Sequence, residues 1–160
     1  MKLRGVVSED FINYKKPSLY LISAYCDWKC CTDANMDTAM CQNRDIFYQP
    51  EKEFSPNVIL KNYLKNDITK AVVVGGLEPL LQIDELCDVI KEFRDNGCED
   101  EFVIYTGYRE EEVAGAINKL SSYKNIIVKF GRYIPNRKSR FDDVLGVTLA
   151  SDNQYAEKIS

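Results

Sequence analysis

The sequence predicts an α/β protein, a single domain with a mostly parallel sheet and flanking helices. Three observations carry this. Ala71 to Val74, Phe102 to Tyr105 and Ile126 to Val128 are short apolar or β-branched runs, the pattern of strands buried on both faces. Between them lie segments whose apolar residues recur at helical spacing, and a strand–helix–strand rhythm builds βαβ units. Finally, 160 residues with 45% hydrophobic and 29% charged content fit one core of ordinary composition. With no internal repeat, linker or low-complexity tract, residues 1–160 read as one unit.

Along the chain, Met1 to Val7 suits an edge strand, and Ser8 to Lys16 is polar and irregular up to Pro17. Leu19 to Ser23 alternates too little for a half-exposed strand and reads as a buried one. In the cysteine-rich loop that follows (25–45), Thr32 to Ala39 shows no period. Ser55-Pro56 pairs an N-cap with proline at the first helical position, and Val58, Ile59, Tyr63 and Leu64 follow at helical spacing. Gly75-Gly76 ends the next strand. Ile83, Leu86, Cys87, Ile90 and Phe93 mark one face of a helix that Gly97 stops. Glu110 to Glu112 suit the positive end of a helix dipole, and Val113, Ile117 and Leu120 give that helix its stripe. After the strand at Ile126 comes a basic loop, Arg132 to Arg140, read as solvated charge or as a contact for an acidic partner. Val147 to Ala150 is the expected last strand, with a polar tail.

In parallel sheets ligands bind beyond the carboxyl ends of the strands. Three features stand there and are expected to converge: the cysteine loop, Gly75 to Pro79, and Thr106 to Tyr108. The loop holds Cys26, Cys30, Cys31 and Cys41, four of six cysteines, in a chain without histidine. Imidazole acid–base chemistry is therefore excluded, and the commonest nitrogen ligand of zinc is missing. Thiolates suit iron–sulfur clusters or zinc. Cys26-x3-Cys30 places two thiols on one turn, Cys41 returns as a third, and Cys31 rivals Cys30 as the middle ligand. A net charge of −4 without a basic block argues against a nucleic-acid partner. No apolar run approaches the roughly 20 residues of a membrane span, so no membrane partner is expected. The N-terminal MKLRGVVSEDF lacks the apolar core of a signal peptide, so a cytoplasmic location is expected. There, clustered thiols serve metals or catalysis rather than disulfides.

These residues resemble the small activating enzymes of the radical S-adenosylmethionine superfamily, closest to the anaerobic ribonucleoside-triphosphate reductase activating proteins. That family carries C-x3-C-x2-C after its first barrel strand, commonly with Asn two residues beyond the third Cys. Cys41-Gln42-Asn43-Arg44-Asp45 resembles the end of this motif, also as it occurs in the pyruvate formate-lyase activating enzyme. Here Met40 stands where an aromatic residue is usual, ten residues separate Cys30 from Cys41, and Asp33 falls where the third ligand is expected. Gly75-Gly76-Leu77-Glu78-Pro79-Leu80 resembles GGEPL, whose backbone and acidic residue bind the amino group of S-adenosylmethionine; Leu77 is a replacement or an insertion. Tyr105-Thr106-Gly107-Tyr108 is similar to the family's YTGY. Lys129 to Ile134 and Ser151 to Gln154 resemble VDGRFI and SSNQ, with Lys129 where Asp is usual.

The resemblance spans Leu19 to Ile159 in order. It implies a partial, open (β/α) barrel and a 4Fe–4S cluster on Cys26, Cys30 and Cys41 with one iron open. S-adenosylmethionine would be held by Gly75, Gly76, Glu78, Pro79, Thr106 and Asn43. The implied activity is that of an anaerobic oxidoreductase: reductive cleavage to a 5′-deoxyadenosyl radical generates a glycyl radical on a partner enzyme, an anaerobic ribonucleotide reductase. The electron would come from a donor such as flavodoxin or ferredoxin.

Other classes compete with this reading. One is a structural zinc on all four loop thiols. Another is a zinc- or cluster-stabilised binding module without catalysis. A third is a radical enzyme acting on a small molecule or peptide, since fold does not fix substrate. Cys87, on an apolar stripe, reads as packed core, and Cys98 receives no role. Trp28, between two expected ligands, is placed to shield a cluster from water.

Overall fold

The computed structural model describes residues 1–160. Its strands are β1 (Lys2–Asp10), β2 (Ser18–Ser23), β3 (Lys52–Glu53), β4 (Ala71–Gly75), β5 (Glu101–Tyr105), β6 (Ile126–Phe130), β7 (Arg140–Asp142), β8 (Val147–Leu149) and β9 (Tyr155–Lys158). The helices are α1 (Lys29–Asp33), α2 (Arg44–Phe47), α3 (Pro56–Leu64), α4 (Ile83–Asp95) and α5 (Ala114–Leu120), with single 3₁₀ turns at Thr38–Met40, Pro79–Gln82 and Glu110–Glu112. Seven strands form one open sheet in the order β3-β1-β2-β4-β5-β6-β9, and β7 pairs with β8 as a separate hairpin.

The four central strands are parallel and follow one another in chain order. Every crossover thus steps in the same direction, which for right-handed connections puts all the helices on one face. Packing bears this out. Ile59, Leu60 and Tyr63 of α3, Leu86, Val89, Ile90 and Phe93 of α4, and Leu120 of α5 share a single cluster with alternate strand residues. Its central row runs Leu21, Val74, Ile104, Val128 across adjacent strands, all inaccessible to solvent. The opposite, helix-free face carries a smaller cluster around Val73, Val103 and Ile127, covered by Tyr14 and by Leu145 and Leu149 of the hairpin region. Side chains alternate between faces, so the last inward-facing positions of the parallel strands are Ile22, Gly75, Tyr105 and Lys129.

The expected parallel core is present, but antiparallel β1, β3 and β9 at its margins make the sheet mixed. The sheet is open; no barrel closes. β1 runs three residues beyond Val7 and lies inside β3, so it is not an edge strand, and its pairing with β2 orders Ser8 to Asp10 despite their polarity. On α3 the buried face is Ile59, Leu60 and Tyr63, whereas Val58 and Leu64 are exposed. The acidic triplet Glu110 to Glu112 forms a 3₁₀ turn before α5. Val147 to Leu149 is not the last strand of the sheet. That place belongs to β9 in the polar tail, which needs only one apolar face because it is an edge. No helix is long and apolar enough to cross a membrane.

Candidate functional site

At the carboxyl ends of the parallel strands lies a cavity of about 330 Å³, within the size range of small-molecule sites. Its walls bring together the three features expected to meet. Cys26, Cys30, Cys31, Cys41 and Asn43 line one side; Gly76, Leu77 and Glu78 follow β4; Thr106 and Gly107 follow β5. Gly75 and Pro79 stand behind the lining. A Cβ at Gly75 would come within 3.1 Å of Tyr105 Cβ and 3.4 Å of the Tyr20 ring, so glycine makes room for two tyrosines that face the cavity. Gly76 has φ +81° and would clash with Ile22 at 2.6 Å were it larger, two reasons for glycine at the turn.

Glu78 ties these strand ends together. Its carboxylate accepts from Leu80 N (3.1 Å), Thr106 Oγ1 (2.9 Å) and Gly107 N (2.9 Å), and its own amide donates to Tyr25 O (2.7 Å). Burial pushes this carboxyl up to about 7, against those three donors. Three of roughly four lone-pair directions are thus filled from within the chain. Asn43 Nδ2 donates to Gly76 O, closing the cysteine loop over the β4 turn.

The cysteine loop is built from very short elements. Trp28 adopts a left-handed conformation (φ 58°) ahead of the five-residue α1. Its amide donates to Cys26 Sγ at 3.3 Å, and its ring lines the cavity while packing on Phe47 at 5.0 Å, a position suited to shielding. Cys30 and Cys31 are adjacent on α1 but have different neighbours. Cys30 Sγ sits so close over Gly107 that a Cβ there would lie 2.3 Å away. Cys31 is almost completely buried, and that burial together with the neighbouring Cys41 pushes its thiol up. Burial raises Cys26 to about 12 and Cys30 to about 11. These thiols stay protonated at neutral pH until a metal displaces the proton. Asp33, where the family's third ligand would fall, is bound to Lys29 and Arg132 and does not line the cavity. Cys87 and Cys98 pack against the main core, away from it.

Two cations near Cys30 were not visible as site residues in the sequence. Lys129 is 6% exposed and donates to Gly131 O at 2.8 Å, making no ion pair. Burial pushes it down to about 8, against the influence of Cys30 and Glu78. The signal was a lone lysine at the carboxyl end of the apolar run Ile126 to Phe130. Arg132, in the loop read as solvated charge or as a contact for an acidic partner, is 4% exposed. It holds Glu112 through two hydrogen bonds (2.8 and 2.7 Å) and pairs with Asp33. Its acidic partners are thus within the chain. Asn153 and Gln154 bind the two polar C-terminal motifs to each other, donating from their side-chain amides to Arg132 O and to the O of Gly131 (φ +96°).

The donor set fits an iron–sulfur cluster better than a single ion. A tetrahedral zinc needs its sulfurs all about 2.3 Å from one centre, yet no three Cys, Asp or Glu side chains are grouped to hold one ion. In a cluster each cysteine binds a different iron, and thiols spread around a cavity wall suit that arrangement. No curated protein and no solved structure matches the chain. The model of the 4Fe–4S single cluster domain, a family found in radical S-adenosylmethionine proteins, matches residues 17–154. That span takes in the cysteine loop, all four parallel strands and both C-terminal polar motifs, so the chain belongs to the 4Fe–4S single cluster domain family.

Proposed function

We propose that this protein is a radical S-adenosylmethionine enzyme that activates a glycyl-radical partner, an anaerobic ribonucleotide reductase. The observation that carries the reading is the meeting of the Gly76–Glu78 turn and the Thr106–Gly107 turn with the cysteine loop across one cavity. Cys26, Cys30 and Cys41 would hold the cluster, leaving one iron open, at the carboxyl-end rim of the open sheet. The Gly75-Gly76 backbone, Glu78 and Pro79 hold the methionine end of the cofactor. Thr106 lies toward its ribose or adenine, and Asn43 fixes the cluster loop against the Gly76 carbonyl. Cluster and S-adenosylmethionine together supply one-electron cleavage of the sulfonium to methionine and a 5′-deoxyadenosyl radical. The protein's part is to position the reacting atoms and exclude water. The electron comes from a small donor such as flavodoxin or ferredoxin.

Anaerobic reconstitution with iron and sulfide should give a brown protein whose visible absorption bleaches with dithionite. Added S-adenosylmethionine should then yield 5′-deoxyadenosine, and the partner reductase should gain a glycyl-radical electron paramagnetic resonance signal. A colourless protein with one bound zinc would refute the reading. A second reading, a cluster-bearing binding module without catalysis, is favoured by one observation: Glu78, the expected ammonium acceptor, is largely satisfied by Leu80, Thr106 and Gly107. It predicts a stable cluster and no 5′-deoxyadenosine. 5′-Deoxyadenosine formed without a radical on the reductase would instead indicate a small-molecule or peptide substrate.

A further inference from the structure

Lys129 is a buried cation with no carboxylate within ion-pair distance, Glu78 and Cys30 acting on it only at longer range. It ends the inward-facing row of the parallel strands beside Tyr105, and its ammonium lies 5.9 Å from the Tyr105 ring centre. Of its three protons one goes to the Gly131 carbonyl; no carboxylate pairs with it. The neighbouring buried cation differs. Arg132 has Glu112 and Asp33 as partners, so its charge is compensated. Burying an uncompensated ammonium is costly. A fold retains one where an anion occupies the space it faces, and here that space is the cavity lined by Cys30, Cys26 and Cys41.

We propose that Lys129 is the electrostatic partner of the cluster and sets its reduction potential through its position beside Cys30. The inference rests on the cluster assigned to the cysteine loop and not on what the cluster goes on to do. Reduction moves one electron from an external reductant into the cluster core and adds one negative charge there. The ammonium keeps its proton, and no bond is made or broken. A fixed cation in a water-poor wall stabilises the more negative state, so Lys129 raises the potential. It is a positioning charge rather than a catalytic residue, because it acts through the cluster.

The test is a dithionite redox titration of the anaerobically reconstituted full chain, read by electron paramagnetic resonance. Lys129→Gln keeps a donor for the Gly131 carbonyl while losing the charge; Lys129→Met loses both; Lys129→Arg keeps the charge. At the poise where half the wild-type cluster is reduced, both neutral variants should show a reduced-to-oxidised ratio lowered about tenfold, a midpoint lower by about 59 mV for a one-electron couple. Lys129→Arg should stay within about twofold of wild type. Lys91→Gln, which removes an exposed lysine paired with Asp95, should leave the ratio unchanged, because its charge is screened by solvent. Neutral variants that load iron fully and titrate within twofold of wild type overturn the proposal. Neutral variants that load no iron while Lys129→Arg loads fully support a required cation. If all three fail to load, a merely structural role replaces the proposed one. A wild-type chain that takes up no iron removes the cluster itself and the inference with it.

Discussion

The two walls of the cavity are made differently. The strand-end wall is rigid by construction. Leu77, Glu78 and Thr106 are buried, and their polar groups bond to each other and to the strands behind them. The cysteine wall is the reverse. From Cys26 to Pro50 only Cys31 is buried, and the regular elements are α1, α2 and one 3₁₀ turn, each five residues or fewer. What fastens it is polar: Asn43 to Gly76, Tyr108 to Asp27, Lys29 to Glu112 and Arg132 to Asp33. A segment with few apolar contacts opens more readily than a packed one. A bound metal then becomes part of what folds it. One wall is a preformed seat; the other is completed by its occupant.

This contrast can be broken by substitution, and the largest effect belongs to the ligands. Cys26→Ala and Cys41→Ala should abolish iron uptake and visible absorption while moving the stability of the iron-free chain by no more than about 0.5 kcal/mol. Cys31→Ala should retain most of its iron, because Cys30 rather than Cys31 faces Gly107 and Lys129. A cluster that survives Cys30→Ala but not Cys31→Ala would reverse that assignment. The seat should behave oppositely. Ile104→Ala, in the inaccessible central row, should cost about 3 kcal/mol in urea unfolding of the iron-free chain.

Smaller effects lie where the walls touch. Arg132→Met severs the tie from Glu112 to Asp33 and should cost about 2 kcal/mol, with slower cluster assembly because α1 is released. Gly107→Ala should cost about 1 kcal/mol and reduce iron occupancy, since its methyl would displace Cys30 Sγ. Unchanged iron content in Gly107→Ala would show that the cysteine wall yields freely.

The smallest effect is one of pH. Hydrogen bonding to Arg132 holds the Glu112 carboxyl down at about 2, below its ordinary 4.5. A depressed carboxyl stabilises the fold fully above its unfolded value and loses that contribution as pH falls through the folded one. Glu112→Gln in the iron-free chain should therefore flatten the decline in stability between pH 4.5 and 2. The difference from wild type should be about 1 kcal/mol, since solvent screens a side chain that is 24% exposed. A variant whose decline parallels wild type would remove this bridge from the fastening.

Much of the fold was legible in order. Ala71 to Val74 and the α4 stripe announced themselves through continuous apolarity and helical spacing, because burial on two faces or one leaves a direct record in composition. β9 left almost none, since an edge strand needs only one apolar face, and Tyr155–Lys158 looks polar. α1 and α2 were missed because four or five residues are too few for a period. For the site, the cysteines, the Gly75-Gly76 turn and Thr106 could be nominated from residue type and strand-end placement. Arg132 could not, because a charge in a loop carries no sign of its burial, and Lys129 left only its place at the end of an apolar run.

The metal-binding chemistry is written in residue types alone: sulfur without imidazole, at the end of a buried parallel strand. How those sulfurs differ, and which cation stands beside them outside any ion pair, emerges only from folding, which also brings the strand ends to the convergence their placement predicts. The reason is physical. Ligand chemistry belongs to a side chain alone, whereas burial, charge compensation and the clearance over Gly107 belong to pairs of residues far apart in the chain.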